Sequence, residues 1–568
     1  MASRSTTAEL PPPQVGANLW LANRFNTKST AFTEEERNRL GLRGRLPPHI
    51  ETMDEQIARV YRQFTWMDQP IAKYQLLRSL QDTNVRLFYG FVLRHITESL
   101  PILYTPTVGE ACQKFAALYQ KDHGVYFTRQ DKGHIREILS NAQRDEIDII
   151  VITDGSRILG LGDLGANGMG IPIGKISLYI AGGGLNPRTC LPVTFDCGTD
   201  TEALRADPCY LGLREKRCDD ATFYDMLDEF MAGVKAQWPM AVVQFEDFSN
   251  NHCFDVLERY RDHYRCFNDD IQGTGAVIAA GFLNAVRLTG MHPTQHRILV
   301  YGAGSAATGV VEAICAVMHA SYAGVEHVQL MKCIFLVDTK GLVTNTRGDV
   351  LAKHKVALAR KDIAVEDNAK YHTLESCIRE IKPTALIGLA GAGPAFTEEL
   401  VRFVASYTAR PIIFPLSNPT SKSEIHTDNG FKWTDGRAIM ASGSPYPSVA
   451  LTLADGTAAQ CVPSQGNNMY IFPGVGLGAY LCQTKTIPES ALIAAALKLA
   501  SLVDPAEMSK VGGLLYPPLS DIRRVSSEVA LAIIEHCKAQ PGLVAADVAA
   551  TLPRTADEVL SRMWVPHY

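Results

Sequence analysis

Apolar positions along the chain change their period twice. Near the start they recur at helical spacing, as in "VRLFYGFVLRHITESL", and "TEEERNRLGLRG" opens with a capping threonine and an acidic first turn. After residue 120 short β-branched runs such as "EIDIIVITD" and "AVVQF" alternate with helical stretches such as "ATFYDMLDEFMAGV". That alternation is the pattern of an α/β domain. A second such pattern begins after Asp270 and runs to about residue 465, and Ala- and Leu-rich helices including "ESALIAAALKLASLV" close the chain.

The pattern predicts an α/β protein with a disordered leader (1–20) and a helical N-terminal domain (21–120). An α/β substrate and metal domain (121–268, completed by about 468–535) and a Rossmann-like dinucleotide-binding domain (269–467) follow, then a C-terminal helical tail (536–568). No internal repeat of solenoid length interrupts this order. The leader carries hydroxyl residues and Arg4, but Glu9 and a proline triplet spoil an amphipathic helix there.

Composition narrows the function. The 568 residues are 46% hydrophobic and 20% charged with a formal net charge of −5, which fits a small-molecule enzyme and gives no basic, aromatic-interleaved surface for nucleic acid. The 13 cysteines are odd in number and contain no Cys-x-x-Cys pair, so they read as reduced thiols. No apolar run approaches the roughly 20 residues that span a bilayer. A soluble, cytoplasmic protein is expected, with the mitochondrion as the alternative.

Candidate chemistry gathers at four places. Two acidic pairs, Glu246 and Asp247 in "VVQFEDFSN" and Asp269 and Asp270 in "YRCFNDDIQGTGAV", follow apolar runs, and carboxylates at strand ends suggest a divalent metal. "RILVYGAGSAATGVVEAI" sets Gly302, Gly304 and Ala307 between a strand and a helix, the dinucleotide fingerprint with a small third residue. The next strand, "CIFLVD", ends in Asp338, where such folds place an acidic group for the adenosine ribose. Lys175 lies in the apolar "GMGIPIGKISLY", a setting that predicts a depressed pKa.

The blocks "YTPTVGEACQKF", "TDGSRILGLGDLGANGMGIPIGKISLY", "FEDFSNNHCFDVLERYR", "CFNDDIQGTG", "IFPLSNPTS" and "GNNMYIFPGVGLG" resemble, in the same order, those of the malic enzyme family. The resemblance implies oxidative decarboxylation of L-malate to pyruvate and CO2, with NADP or NAD and Mg2+ or Mn2+. It implies metal ligation by Glu246, Asp247 and Asp270, with Lys175 as general base and Asp269 tuning it. Tyr104 is the implied proton donor to the enolpyruvate, made more acidic by a nearby cation such as Lys175. Arg157 is matched to a malate carboxylate, and Asn418, Asn467 and Asn468 to the substrate and nicotinamide, with the choice between Asn467 and Asn468 open.

A malolactic-type enzyme giving lactate and a non-catalytic NAD(P)-binding protein are the alternatives. A homodimer or homotetramer is also implied. In a fumarate-activated branch two arginines hold the effector; here Arg59 matches one and Thr83 replaces the other. For the cofactor, "LVDTKGLVTNTRGDVLAKHKV" places Thr339 and Lys340 directly after Asp338, with Lys355 farther on. This pattern is similar to that of the NADP-dependent members of the family, whose lysines neutralise the 2′-phosphate, so the resemblance implies NADP over NAD, with Lys340 and Lys355 carrying the preference.

Overall fold

Two largely parallel sheets turn their carboxyl ends toward one cleft. The computed structural model describes residues 17–348, 350–453, 456–508 and 513–568. The first sheet has the order β1-β3-β2-β4-β5, built from β1 (Val125–Thr128), β2 (Ile149–Thr153), β3 (Cys190–Asp196), β4 (Val242–Phe245) and β5 (Cys266–Asn268). Every neighbouring pair in it is parallel.

The second sheet comprises β6 (Ile298–Tyr301), β7 (Ile334–Asp338), β8 (Gly341–Leu342), β9 (Ala385–Gly388), β10 (Ile412–Pro415), β11 (Ile439–Ser442) and β14 (Ser464–Gln465). Its order is β14-β11-β10-β9-β6-β7-β8, parallel except where β7 meets β8. The strands β12 (Val449–Thr452) and β13 (Ala458–Cys461) form a separate antiparallel hairpin.

Side chains alternate between the faces of a strand, and the cores follow that alternation. In β2, Ile149 and Val151 enter one core while Ile150 and Ile152 enter another. In β6, Ile298 and Val300 join the same first core, and Leu299 faces a third. The first core therefore lies between the sheets, and it also takes in Ile57, Phe64 and Leu77 of the N-terminal helices. Helix Gly170–Gly183 is buried at every residue within this arrangement, and helices Phe472–Cys482 and Ile522–Ala539 contribute Val475 and Val529 to the same core.

Local signals behave as read. Thr33 caps helix Glu34–Arg39 in a reciprocal box with Glu36. The leader needs correction: residues 1–16 lie outside the described residues, but Ala17–Ala22 is a helix and Trp20 is buried in a small cluster with Phe32 and Leu42. Residues 535 and 536 both lie within helix Ile522–Ala539, so the expected start of the tail falls mid-helix. The apolar stretch Asp269–Thr289 is long enough to cross a membrane, yet 83% of its apolar window is buried in the protein, which makes it a core helix.

Register sets the site. Phe245 of β4 pairs with Asn268 of β5, so Glu246-Asp247 and Asp269-Asp270 leave the sheet side by side. The chain from Asp269 to Gly273 makes one wide π-helical turn before helix Thr274–Thr289. Helix Ser305–Ser321 packs directly on that turn, because a Cβ on Gly309 would stand 2.0 Å from the Ile271 carbonyl oxygen. Replacing Gly309 with Ala forces backbone apart, and the expected loss is about 1–3 kcal/mol of unfolding free energy. An unchanged denaturation midpoint would show that the two helices are not locked at this contact.

Candidate functional site

Carboxyl ends of parallel strands are where open α/β sheets bind ligands. Here the ends of β2, β4 and β5 meet those of β6, β9 and β10 across a cleft of about 160 Å3, lined by Tyr104, Arg157, Asp247, Asp270, Asn418 and Asn467 among others. A single buried water needs only about 10–15 Å3 by this measure, so the cleft has room for a small organic acid.

Glu246, Asp247 and Asp270 each offer a carboxylate oxygen, all within 4.8 Å of one another. The Asp247 backbone N–H donates to Asp270 at 2.7 Å, while Asp247 Oδ1 accepts from the Leu159 N–H at 3.2 Å. Asp247 Oδ2 is buried with no hydrogen-bond partner. Burial first, and then the neighbouring carboxylates, raise the pKa values of Glu246 and Asp247 well above the usual carboxylate range, and that of Asp270 rises with them. Once deprotonated, these three and Asp269 carry four negative charges against the two positive charges of Lys175 and Arg157, a deficit of two that a divalent cation matches. An all-oxygen donor set with that deficit fits Mg2+ or Mn2+.

Lys175 is 1% exposed. Its Nζ is paired with Asp269 and lies 3.0 Å from Glu246, with the Phe472 ring at 4.4 Å and the Tyr104 ring at 5.1 Å. The expected depression of its pKa is corrected. Burial pushes it down, but Asp269 and Glu246 outweigh burial and hold it well above the ordinary lysine value. An apolar sequence context conceals carboxylates supplied from residues far along the chain.

Tyr104 is corrected in the same way. Burial raises its hydroxyl pKa well above normal, and the lowering by Lys175 is the smaller effect.

The two asparagines are separated by their bonds. Asn468 Nδ2 donates to Asp269 Oδ2 at 2.8 Å and to Thr274 Oγ1 at 3.0 Å, so it orients the partner of Lys175. Asn467 caps its own turn through the Met469 N–H at 2.9 Å, and both asparagines line the cleft. Asn418 accepts from Ser444 Oγ at 2.5 Å and also faces the cleft.

Arg157 joins the sheets. Its Nη1 donates to Asn250 Oδ1 at 3.1 Å, and the same oxygen accepts from the Ser305 N–H, at 3.0 Å, where the helix after the glycine turn begins. Asn250 was not among the candidates, and its only sequence signal is the "SNNH" that follows the acidic pair. The glycine turn stands between β6 and helix Ser305–Ser321. Gly302 has φ +114° and would strike Leu389 with any Cβ, while Ala307 is 1% exposed against the core.

Asp338 ends β7 as read, but its oxygens are occupied. Arg347 pairs with both at 2.8 Å, Lys355 pairs with Oδ2 at 2.8 Å and the Lys340 N–H donates at 2.9 Å. Burial alone would raise this carboxyl; Arg347 and Lys355 take it well below the usual range. Arg347 was missed because nine residues and a turn separate it from Asp338. Thr339 and Lys340 are exposed beside this cluster. Outside the cleft, Arg59 is held by Glu51 at 2.8 Å, and Thr83 bonds back to the Ser79 carbonyl at 2.9 Å.

Fold and site together define a metal-assisted, dinucleotide-linked oxidoreductase. The profile of the malic enzyme N-terminal domain matches residues 81–261, and that of the malic enzyme NAD-binding domain matches residues 271–538. An NADP-dependent malic enzyme of Dictyostelium discoideum is 45% identical over 96% of this chain and 98% of its own length. One from Homo sapiens is 44% identical over 91% of this chain and 88% of its own. Among solved structures, a malic enzyme of Entamoeba histolytica shares the fold at a TM-score of 0.54 and 19% identity, covering 93% of this chain and 90% of its own. The chain belongs to the malic enzyme family.

The β7 cluster yields a direct test. Lys355→Gln should weaken NADP by roughly tenfold or more, the worth of one charge-assisted contact, and leave NAD kinetics nearly unchanged. Equal losses with both cofactors would remove Lys355 from 2′-phosphate recognition.

Proposed function

We propose that the protein is an NADP-dependent, oxaloacetate-decarboxylating malate dehydrogenase that converts L-malate to pyruvate and CO2 with Mg2+ or Mn2+. The observation that carries this reading is the buried Lys175–Asp269 pair beside a three-carboxylate cluster, at the mouth of a dinucleotide fold. Relatives named NADP-dependent malic enzymes, at 43–45% identity over most of the chain, support the same cofactor and reaction.

Each residue has one task. Arg157 presents a guanidinium to a malate carboxylate, and Asn467 and Asn418 supply neutral hydrogen bonds along the cleft. Glu246, Asp247 and Asp270 hold the divalent ion. Lys175 removes the C2 hydroxyl proton, oriented by Asp269, which Asn468 in turn holds. Tyr104 returns a proton to C3 of the enolpyruvate, and its high pKa keeps it protonated until then. When bound, the cation supplies Lewis acidity at the C2 oxygen and offsets the carboxylate field around Lys175, and the dinucleotide accepts the hydride. The buried setting of Lys175 and Asp269 keeps bulk water from that proton path.

At the end of β7, Lys355 with Lys340 and Arg347 reads the 2′-phosphate, while Gly302, Gly304 and Ala307 admit the pyrophosphate to the start of helix Ser305–Ser321. All thirteen cysteines are free, which supports a reducing compartment, and we place the protein in the cytoplasm. Some relatives carry mitochondrial or chloroplastic in their names. A dimer or tetramer is the assembly that membership of the family suggests.

The test is an assay of purified protein with L-malate, Mn2+ and either NADP or NAD, reading reduced cofactor and pyruvate together. Pyruvate in step with NADPH is expected; lactate without net cofactor reduction, or a preference for NAD, contradicts the reading. Lys175→Ala should lower turnover by at least about 100-fold, the scale of losing a general base, with NADP binding retained. Near-normal turnover in that variant would remove Lys175 from the proton path.

A further inference from the structure

Arg78 is a cation out of place. It lies on helix Pro70–Thr83 and is 8% exposed. Its Nη1 donates to Gln81 Oε1 at 2.7 Å and to Ser177 Oγ at 2.9 Å, its Nη2 reaches the Leu103 carbonyl at 3.4 Å, and the Tyr74 ring lies 4.9 Å away. All of these partners are neutral. Nε is buried with no hydrogen-bond partner, and Arg78 forms no ion pair among the described residues. A buried charge without a counter-ion is costly, so an anion beside the guanidinium would relieve it.

A cavity of about 50 Å3 opens beside this group. Phe115, Leu118, Ile173 and Tyr74 give it apolar and aromatic walls, and it shares no lining residue with the catalytic cleft. At about 10–15 Å3 for each water-sized group, it holds a carboxylate and a short tail. Asp82 also lines it, 3.0 Å from His123 Nε2 and 3.7 Å from Arg24 Nη1. Lys121 and His123 line the same end, so Asp82 is not an unopposed negative charge there.

We infer that this cavity binds a short carboxylate with an apolar tail, its carboxylate on the Arg78 guanidinium and its tail against Phe115, Leu118 and Ile173. The site lies behind the catalytic residues, since Leu103 precedes Tyr104 and Ser177 lies two positions beyond Lys175 on helix Gly170–Gly183.

Calorimetric titration of the full chain with sodium propionate, against sodium chloride at equal ionic strength, tests the inference. Saturable binding is expected in the unmodified protein and in Arg157→Gln, which alters only the catalytic cleft. Arg78→Met removes the charge, and Leu118→Trp fills the cavity without touching Arg78. Both should weaken propionate at least about tenfold, the worth of one charge-assisted contact or a blocked cavity. If Arg78→Met fails to fold, Leu118→Trp decides. Binding that is lost in Arg157→Gln and kept in Arg78→Met or Leu118→Trp would place the acid in the cleft and overturn the inference. So would the absence of saturable binding in the unmodified protein, as when a second copy of the chain already fills the cavity.

Discussion

The ion pair between Lys175 and Asp269 is the constraint around which the molecule is arranged. Both side chains are almost wholly out of water, at 1% and 0% exposure. In that setting neither charge is tolerable without the other, so the helix that carries Lys175 and the wide turn that carries Asp269 must meet. That meeting needs the register of β4 with β5, the close approach of Gly309 to Ile271, and the Asn468 amide that bonds Asp269. Each comes from a different part of the chain. This ion pair is thus also the junction of the two sheets.

Adjacent carboxylates divide their work because the turn points them apart. Asp269 faces Lys175, and Asp270 faces the backbone N–H of Asp247 in the cation cluster. Glu246 stands between the two, within reach of Lys175 and of the cluster. The lysine's proton affinity is therefore set by the same carboxylates that a cation would occupy. Arg157 and Asn250 extend this link to the glycine turn, so the carboxylate cluster and the start of helix Ser305–Ser321 are joined by one connected set of bonds.

Much of this was legible in the sequence where function depends on neighbours along the chain. The fingerprint turn and the two acidic pairs are local patterns, and the change from helical to alternating periodicity marks the two α/β regions. What stayed hidden depends on distant partners. An apolar block around Lys175 predicts a depressed pKa only until Glu246 and Asp269 arrive from other strands. Asp338 looks like a ribose ligand until Arg347 folds back on it. Asn467 and Asn468 are indistinguishable as letters, and only the bond from Asn468 to Asp269 separates them. Trp20 reads as part of a leader because its burial depends on Phe32 and Leu42.

The division between Asp269 and Asp270 is the central claim, and paired titrations test it most directly. Calorimetric Mn2+ binding and malate turnover are measured on Asp269→Asn and Asp270→Asn side by side. Asp270→Asn should weaken Mn2+ at least about tenfold, the scale of one lost charged contact. Asp269→Asn should keep Mn2+ affinity within about threefold while turnover falls about 100-fold or more, as expected when a base loses its orienting partner. Equal losses of Mn2+ affinity in the two variants would contradict the account.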